Sequence, residues 1–193
     1  MARRSGTVII DKSQVDTDFK VRSKSLRAKG GGFDGLKSME SFVAKINEEF
    51  ITTILIDIED LYSTSTVGGA IGENSGTNSY ITRLSTDVNG VIYKAEMGCI
   101  ETPAGTNAET DIVLAAISAA PDTGDDVTRG SGYKALVDIA SSWSIGKWTD
   151  GGLRTDYGDL NDKYLFLHGG ASAARGGQYT AGKFVIKLYG YNF

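Results

Sequence analysis

Short runs of alternating apolar and polar residues constrain the fold of this chain more than any other feature of its sequence. In the first clear run, Ile54, Ile56 and Ile58 lie two positions apart, and Leu55, Asp57 and Glu59 occupy the other phase. A period of two is that of a β-strand with one buried face, so Asp57 and Glu59 are expected on the solvent side. The chain has 25 glycines and only two prolines among 193 residues, and glycine without a repeat marks turns. We therefore predict a mainly β fold, an antiparallel β-sandwich of jelly-roll-like character.

A helical spacing precedes that strand. Five apolar residues recur every three or four positions: Leu36, Met39, Phe42, Val43 and Ile46. This spacing places them on one face of a helix, with Asp34 available as its N-cap. We predict one helix near residues 36–49, packed on the sheet through that face.

A hairpin is predicted at Asn89-Gly90. This dipeptide separates two β-rich runs, residues 80–88 and 91–100, and Asn-Gly tolerates the positive φ angles of a tight turn. On the returning strand the odd-numbered residues from Val91 to Cys99 share one face. Cys99 is therefore expected in the core as a small apolar residue.

The rest of the body contains further β-rich runs. Residues 111–118 and 143–148 are predicted as strands, whereas residues 133–142 fit either a helix or a strand. Residues 163–168 and 183–191 are expected to form a terminal antiparallel pair. In total we expect seven to nine strands in a body spanning residues 36–193.

The first 35 residues are predicted to form an extended basic arm. Residues 1–29 carry eight basic and three acidic side chains, a net charge of +5, whereas the remaining residues carry 12 basic and 21 acidic side chains, a net charge of −9. The triplet at residues 30–32 is Gly-Gly-Gly, which predicts a hinge between arm and body. Seven cations of the arm are candidate contacts with acidic groups of a partner or of a neighbouring copy: Arg3, Arg4, Lys20, Arg22, Lys24, Arg27 and Lys29.

The composition of the arm argues against nucleic acid as its partner. It holds one aromatic residue, Phe19, and none of the helix-turn-helix, zinc-finger or RNP patterns. Its β-rich stretch, residues 7–10, is predicted to add a strand to the sheet of another subunit.

Catalytic patterns are not found in the sequence. His168 is the one histidine and no Gly-x-Ser-x-Gly motif accompanies it, so a Ser-His-Asp triad is not expected. The lone Cys99 excludes a disulfide framework within the chain. No apolar stretch approaches the 18 to 20 residues of a membrane span. We expect a protein that is not an enzyme, with no cofactor, no metal site and no membrane partner.

Two groups of residues leave other binding chemistries open. A short acidic loop offers oxygens to calcium but does not match an EF-hand: Asp156, Asp159, Asn161 and Asp162. Four aromatic residues are candidates for stacking on sugars if the chain is a carbohydrate-binding module: Trp143, Trp148, Tyr157 and Tyr164.

Four segments of the body carry a family resemblance. They are YKAEMGCIETPAG (residues 93–105), TDIVL (110–114), the tryptophan-containing segment 143–148, and YTAGKFVIKLYGY (179–191). These strand and turn signatures resemble virion structural proteins of tailed bacteriophages, particularly of marine phages, over roughly residues 50 to 193.

The resemblance implies a capsid decoration (cement) protein. Such a protein is made in the host cytoplasm, lies on the exterior of the virion capsid and stabilises contacts between subunits of the major capsid protein. The resemblance also implies a symmetric assembly, here a homotrimer or homodimer. A tail, neck or head-fibre structural protein is the alternative within the same class.

Overall fold

The computed structural model describes eight ranges of the chain: residues 39–63, 65–72, 78–122, 126–129, 131–139, 141–151, 159–170 and 176–191. The basic arm, its seven candidate cations and the Gly30–Gly32 hinge lie outside these described residues. Their predicted roles stay predictions.

Ten strands and two short helices form the described part of the body. In chain order they are β1 (Met39–Ile46), β2 (Glu49–Asp57), β3 (Tyr62–Ser63), β4 (Thr82–Arg83), α1 (Thr86–Asn89), β5 (Val91–Gly105), β6 (Ile112–Ile117), a 3₁₀ turn (Val127–Arg129), β7 (Lys134–Val137), β8 (Trp148–Asp150), β9 (Tyr164–Gly169) and β10 (Gly177–Tyr191). None of the helices in the described ranges has the length and hydropathy that a membrane span requires.

The strands form two antiparallel sheets. The larger sheet has the order β1-β2-β10-β5-β8, with β3 beside the start of β10, and the smaller sheet has the order β4-β9-β6-β7. The core lies between the sheets: Ile54, Met97 and Phe184 of the larger sheet share one buried cluster with Leu114 and Leu167 of the smaller sheet. Each such side chain contributes about 1.5 to 3 kcal/mol by leaving water. The predicted antiparallel β-sandwich is confirmed.

The two central strands of the smaller sheet are buried on both faces. Every residue of β6 is buried, and on the side away from the main core Ala115 and Phe166 belong to a second cluster. Tyr80 and Val127, from the segments that cross this side, complete that cluster. The continuous apolar sequence of β6 follows from this double burial.

The predicted helix near residues 36–49 is wrong. Residues 39–46 form strand β1, which pairs along its whole length with β2 through a turn at Asn47, whose φ is 56°. Met39 and Val43 point inward, whereas Phe42 and Ile46 lie on the outer side at 40% and 55% exposure. Apolar residues therefore occupy both faces of β1, and this breaks the period of two that would have identified a strand.

The predicted hairpin at Asn89-Gly90 is also wrong. Residues 86–89 form the single turn of α1, and Gly90 ends it with φ of 68° and an N–H that donates to the Thr86 carbonyl. The Asn89 amide is buried, accepts from the Ser85 N–H at 3.0 Å and donates to the Thr52 hydroxyl at 2.9 Å. The positive φ that favours Asn-Gly in hairpins here serves the end of a helix.

Three further predictions concern strands in the second half of the chain. The runs at 163–168 and 183–191 do not pair with each other, because β9 belongs to the smaller sheet and β10 to the larger one. Residues 133–142 contribute a strand, β7. Most of 143–148 is not a strand, since β8 begins only at Trp148.

Candidate docking surface

The side of the larger sheet that faces away from the core, which we call the outer face, is the candidate functional site. Nine large hydrophobic side chains are exposed among the described residues, and six belong to the five strands β1, β2, β10, β5 and β8 of this sheet: Phe42, Ile46, Val91, Ile100, Trp148 and Tyr191. Monomeric proteins rarely expose large contiguous apolar patches, and those that do use them for binding. The outer face is therefore a candidate docking surface.

Strand alternation builds this surface. Along β10, Phe184, Ile186 and Leu188 are buried, whereas the intervening odd-numbered residues from 183 to 191 turn outward. The register sets outward residues of neighbouring strands side by side: Leu55 lies opposite Val185, and Val185 lies opposite Gly98. Cross-strand rows of this kind place side chains within about 5 Å of each other.

Trp148 is the largest exposed aromatic residue of the outer face. It lies opposite Gly98, and its ring covers that glycine so closely that a Cβ at position 98 would lie 1.9 Å from ring atom Cε3. The Lys187 ammonium lies 5.4 Å from the ring centre. Despite these contacts, Trp148 is 46% exposed. A glycine at position 98 is what lets the indole lie against the sheet.

A cluster of tyrosines lies at the end of the outer face where β5 begins and β10 ends. Tyr93 stacks on Tyr191 with ring centres 4.6 Å apart, and its hydroxyl bonds to the Glu49 carboxylate. Burial and that carboxylate raise the pKa of Tyr93 well above its ordinary value. Burial and the hydrogen bond to Glu96 raise the pKa of Tyr189 to about 12. Both hydroxyls are thus neutral at physiological pH.

A bulge in β5 brings Tyr93 to this surface. Tyr189 lies opposite Lys94 and Gly190 opposite Ile92, so Tyr93 is an extra residue in its strand. The expectation that odd-numbered residues 91 to 99 share one face therefore holds only for its later part, where Cys99 is buried. Bulges redirect side chains in this way.

Several charged side chains of the outer face form ion pairs within the chain. The Lys94 ammonium lies 2.6 Å from the Glu96 carboxylate, and the Lys183 ammonium lies 2.9 Å from Glu101 and 3.5 Å from Asp57. Burial raises the pKa of Glu96, but the hydrogen bonds from Lys94 and Tyr189 outweigh it and the net pKa is lowered. Groups that already have partners cost less to cover with another surface than isolated charges do.

Asp57 departs from its predicted environment. It was expected on the solvent side of its strand, and it does lie on the outer face, but it is only 7% exposed because Lys183 lies beside it. Its carboxylate also accepts the Glu59 N–H at 3.0 Å. Both interactions are those of a residue that fixes the end of strand β2.

His168 has the surroundings of a structural histidine. It is 3% exposed; its Nδ1 lies 2.6 Å from the Gly169 carbonyl, and its Nε2 lies 2.9 Å from the Tyr133 hydroxyl. Nδ1 must donate to that carbonyl, so Nε2 accepts from Tyr133. Burial lowers the pKa of His168, although the Gly169 carbonyl and the nearby Asp138, with Asp111 and Asp126, oppose this shift.

The lowered pKa of His168 predicts a loss of stability in mild acid. The unfolded chain binds a proton near pH 6.5 and the folded chain only at lower pH, so the free energy of unfolding falls as pH drops below about 6.5. We expect the urea midpoint to decrease between pH 7 and pH 5.5. In a His168→Asn variant, whose amide can still donate to Gly169, this slope should disappear; an unchanged slope would assign it to other groups.

The described residues of the acidic loop, which were candidate calcium ligands, use their side chains in contacts within the chain. Asp162 pairs with Arg83 at 3.3 Å, and Asp159 accepts the Asn161 N–H at 2.8 Å. Among the residues that the structure describes, no three metal-ligating side chains form a group. Asp156 lies outside those residues.

The four candidate sugar-stacking residues have different surroundings. Trp143 is buried, Trp148 is exposed, and Tyr164 packs edge-on against Tyr80 at 4.8 Å. Tyr157 lies outside the described residues. Of the three described candidates, only Trp148 lies on the outer face.

Sequence reasoning missed the outer face as a unit. The signal was present in β10, where Tyr189 and Tyr191 occupy the phase opposite to the buried residues. In β1 the apolar residues of the outer face instead have the spacing of a helix.

Comparison of this chain with protein-family models, with curated proteins and with solved structures finds no match.

Proposed function

We propose that this chain is a capsid decoration protein of a tailed bacteriophage, which binds the outside of the head and stabilises contacts between major capsid protein subunits. The observation that carries the proposal is the outer face, where six of the nine exposed large hydrophobic residues of the described chain are gathered. A rigid sandwich whose sheet face carries exposed hydrophobic side chains among paired charges is suited to lie on another protein. The family resemblance of residues 93–105 and 179–191 directs the proposal to the phage head.

The basic arm supplies the second part of the proposed binding. Its net charge of +5 over residues 1–29 favours acidic protein surfaces, and complementary charge speeds encounter and fixes orientation. The proposed partners are acidic groups of the major capsid protein or the acidic body of a neighbouring copy. A homodimer or homotrimer multiplies these contacts on a symmetric shell.

Deleting residues 2–30 tests the contribution of the arm. We expect the variant to keep the folded body and to bind heads at least about tenfold more weakly at physiological salt, because it loses the electrostatic part of the association. Occupancy is measured by co-sedimentation with purified heads that lack the protein. The full chain should lose affinity with added salt more steeply than the variant. Equal affinity and equal salt dependence would contradict a binding role for the arm.

Copy number separates the head from the other virion locations. A shell protein is present in hundreds of copies per particle, whereas a tail, neck or vertex protein is present in about six or twelve, in keeping with closed ring symmetry. Quantitative gel densitometry of purified virions against the major capsid protein gives this number. A count near six or twelve would replace the decoration role with a tail or neck role.

One observation favours a second candidate function, carbohydrate binding. Trp148 and the stacked pair Tyr93–Tyr191 present aromatic rings on a flat sheet, and such rings stack on sugar faces. A glycan array with the native chain tests this candidate. Binding that Trp148→Ala abolishes, together with failure to bind heads, would favour the carbohydrate module.

A further inference from the structure

A groove marks the end of the outer face at which β1 begins. It has a volume of about 250 Å³, and its walls include Glu40, Leu55, Asp57, Ile100 and Lys183. Glu40 is the second residue of β1 and lies opposite Leu55. The groove is therefore next to Met39, where the leading segment of the chain joins the body.

The groove combines an apolar floor with a charged rim. Leu55 is half-buried, and Ile100 is 47% exposed. On the rim, Lys183 is held by Asp57 and by Glu101 at 2.9 Å. Such a groove suits one or two apolar side chains carried on a polar backbone.

We propose that residues 33–38 of the same chain fill this groove, with Phe33 and Leu36 against Ile100 and Leu55. The segment reads Phe-Asp-Gly-Leu-Lys-Ser and joins β1 directly. Its two apolar residues are the ones nearest to Met39 on its N-terminal side. The proposal does not depend on the proposed function, since it concerns contacts within one chain.

The reach of the segment fits the width of the sheet. Leu36 is three residues from Met39 and reaches about 10 Å, and Phe33 is six residues away and reaches about 20 Å. Neighbouring strands are about 4.8 Å apart. β10 is two strands from β1, roughly 10 Å away, and β5 is three strands away, roughly 14 Å. Leu36 therefore reaches the region between β2 and β10, and Phe33 reaches Ile100 on β5.

The segment of the same chain has an advantage over a second copy. It is covalently joined at the mouth of the groove, and a short tether gives an effective concentration in the millimolar range. A separate chain would need to be that concentrated in solution to compete. Once residues 33–38 are seated, the Gly30–Gly32 hinge would begin from a fixed point on the outer face.

Cysteine labelling tests the proposal on the full chain. Ile100→Cys is introduced alone and together with Phe33→Ser and Leu36→Ser, and the rate of maleimide labelling is measured at position 100. A segment that occupies the groove nine-tenths of the time slows labelling about tenfold. We therefore expect the triple variant to react about tenfold faster than Ile100→Cys alone. Native Cys99 is buried, and the unmodified chain gives its background rate.

Matched controls make each outcome decisive. Ile145→Cys, at a site that is 70% exposed and outside the sheet, should react at the same rate with and without the two serines. Phe19→Ser, in the arm, should leave labelling of Ile100→Cys unchanged. Equal rates for Ile100→Cys in the two backgrounds would overturn the proposal. So would protection that grows with protein concentration, because that result assigns the groove to a second copy.

A crosslink provides a readout if the serine variants fold poorly. Phe33→Cys with Ile100→Cys should form a disulfide within one chain under mild oxidation, whereas Phe19→Cys with Ile100→Cys should not. Disulfides require Cα atoms within about 7 Å. A crosslink only between chains, or equal yields in both pairs, would contradict the proposal. None of these measurements uses phage heads, so their failure leaves the proposed function standing.

Discussion

Trp143→Ala is expected to destabilise the protein by about 3 to 5 kcal/mol, the range found when a buried aromatic side chain is truncated. Trp143 is 2% exposed, and its ring meets Phe184 edge-on at 5.5 Å. Its indole N–H donates to the Ile112 carbonyl at 2.7 Å. The substitution therefore opens a cavity between the sheets and leaves a buried carbonyl without this donor.

Trp148→Ala provides the matched control for this measurement. It removes the same side chain from an exposed site on the short edge strand β8, and substitutions of that kind change stability by about 1 kcal/mol or less. Urea unfolding followed by far-UV circular dichroism gives both values, because that signal comes mainly from the backbone and not from tryptophan fluorescence. Similar losses in the two variants would contradict the assignment of Trp143 to the core and Trp148 to the surface.

Phe42→Asp combined with Trp148→Asp is expected to weaken head binding by at least about 100-fold, since each aromatic anchor of an interface contributes about 2 kcal/mol or more. The two residues lie at opposite edges of the larger sheet, so one contact loop of a partner cannot account for both. Each new carboxylate would also have to lose its hydration when a partner covers the outer face.

The measurement is co-sedimentation with purified heads, over a range of protein concentrations. The control is Ile145→Asp with Val67→Asp, which places the same charges at two exposed hydrophobic residues outside the larger sheet. We expect this control to bind normally and both double variants to keep the native free energy of unfolding within about 1 kcal/mol. If the control loses as much affinity as the outer-face variant, net charge and not the outer face governs binding.

The sequence predicts the strands whose two faces differ in polarity. In β2 the buried Ile54 and Ile56 alternate with Thr53, Leu55 and Asp57, two of which are polar, and the structure confirms the strand. The strand β1 was not predicted because Phe42 and Ile46 are apolar and exposed, so that apolar residues occupy both faces of the strand. The same property that makes the outer face a candidate site thus concealed one of its strands.

Pairing between strands was harder to predict than the strands themselves. Residues 163–168 and 183–191 are neighbours in sequence, which favours pairing, yet β10 inserts between β2 and β5 instead. The hairpin predicted at Asn89-Gly90 failed for a related reason, because the Asn89 side chain bonds to Thr52, a residue 37 positions away. Contacts over such separations leave no local pattern, so they emerge only from the folded structure.

The central position of β10 has a consequence for how the protein is made. β10 is the latest of the described strands in the chain, and it alone joins β2 to β5. During translation, the β1–β2 pair and the β5–β8 pair must wait as separate fragments, with their apolar sides open to water, until this segment leaves the ribosome. Sheet closure is then a late, long-range step, and pairing of this kind slows folding and lengthens the time for which the unpaired strands can aggregate.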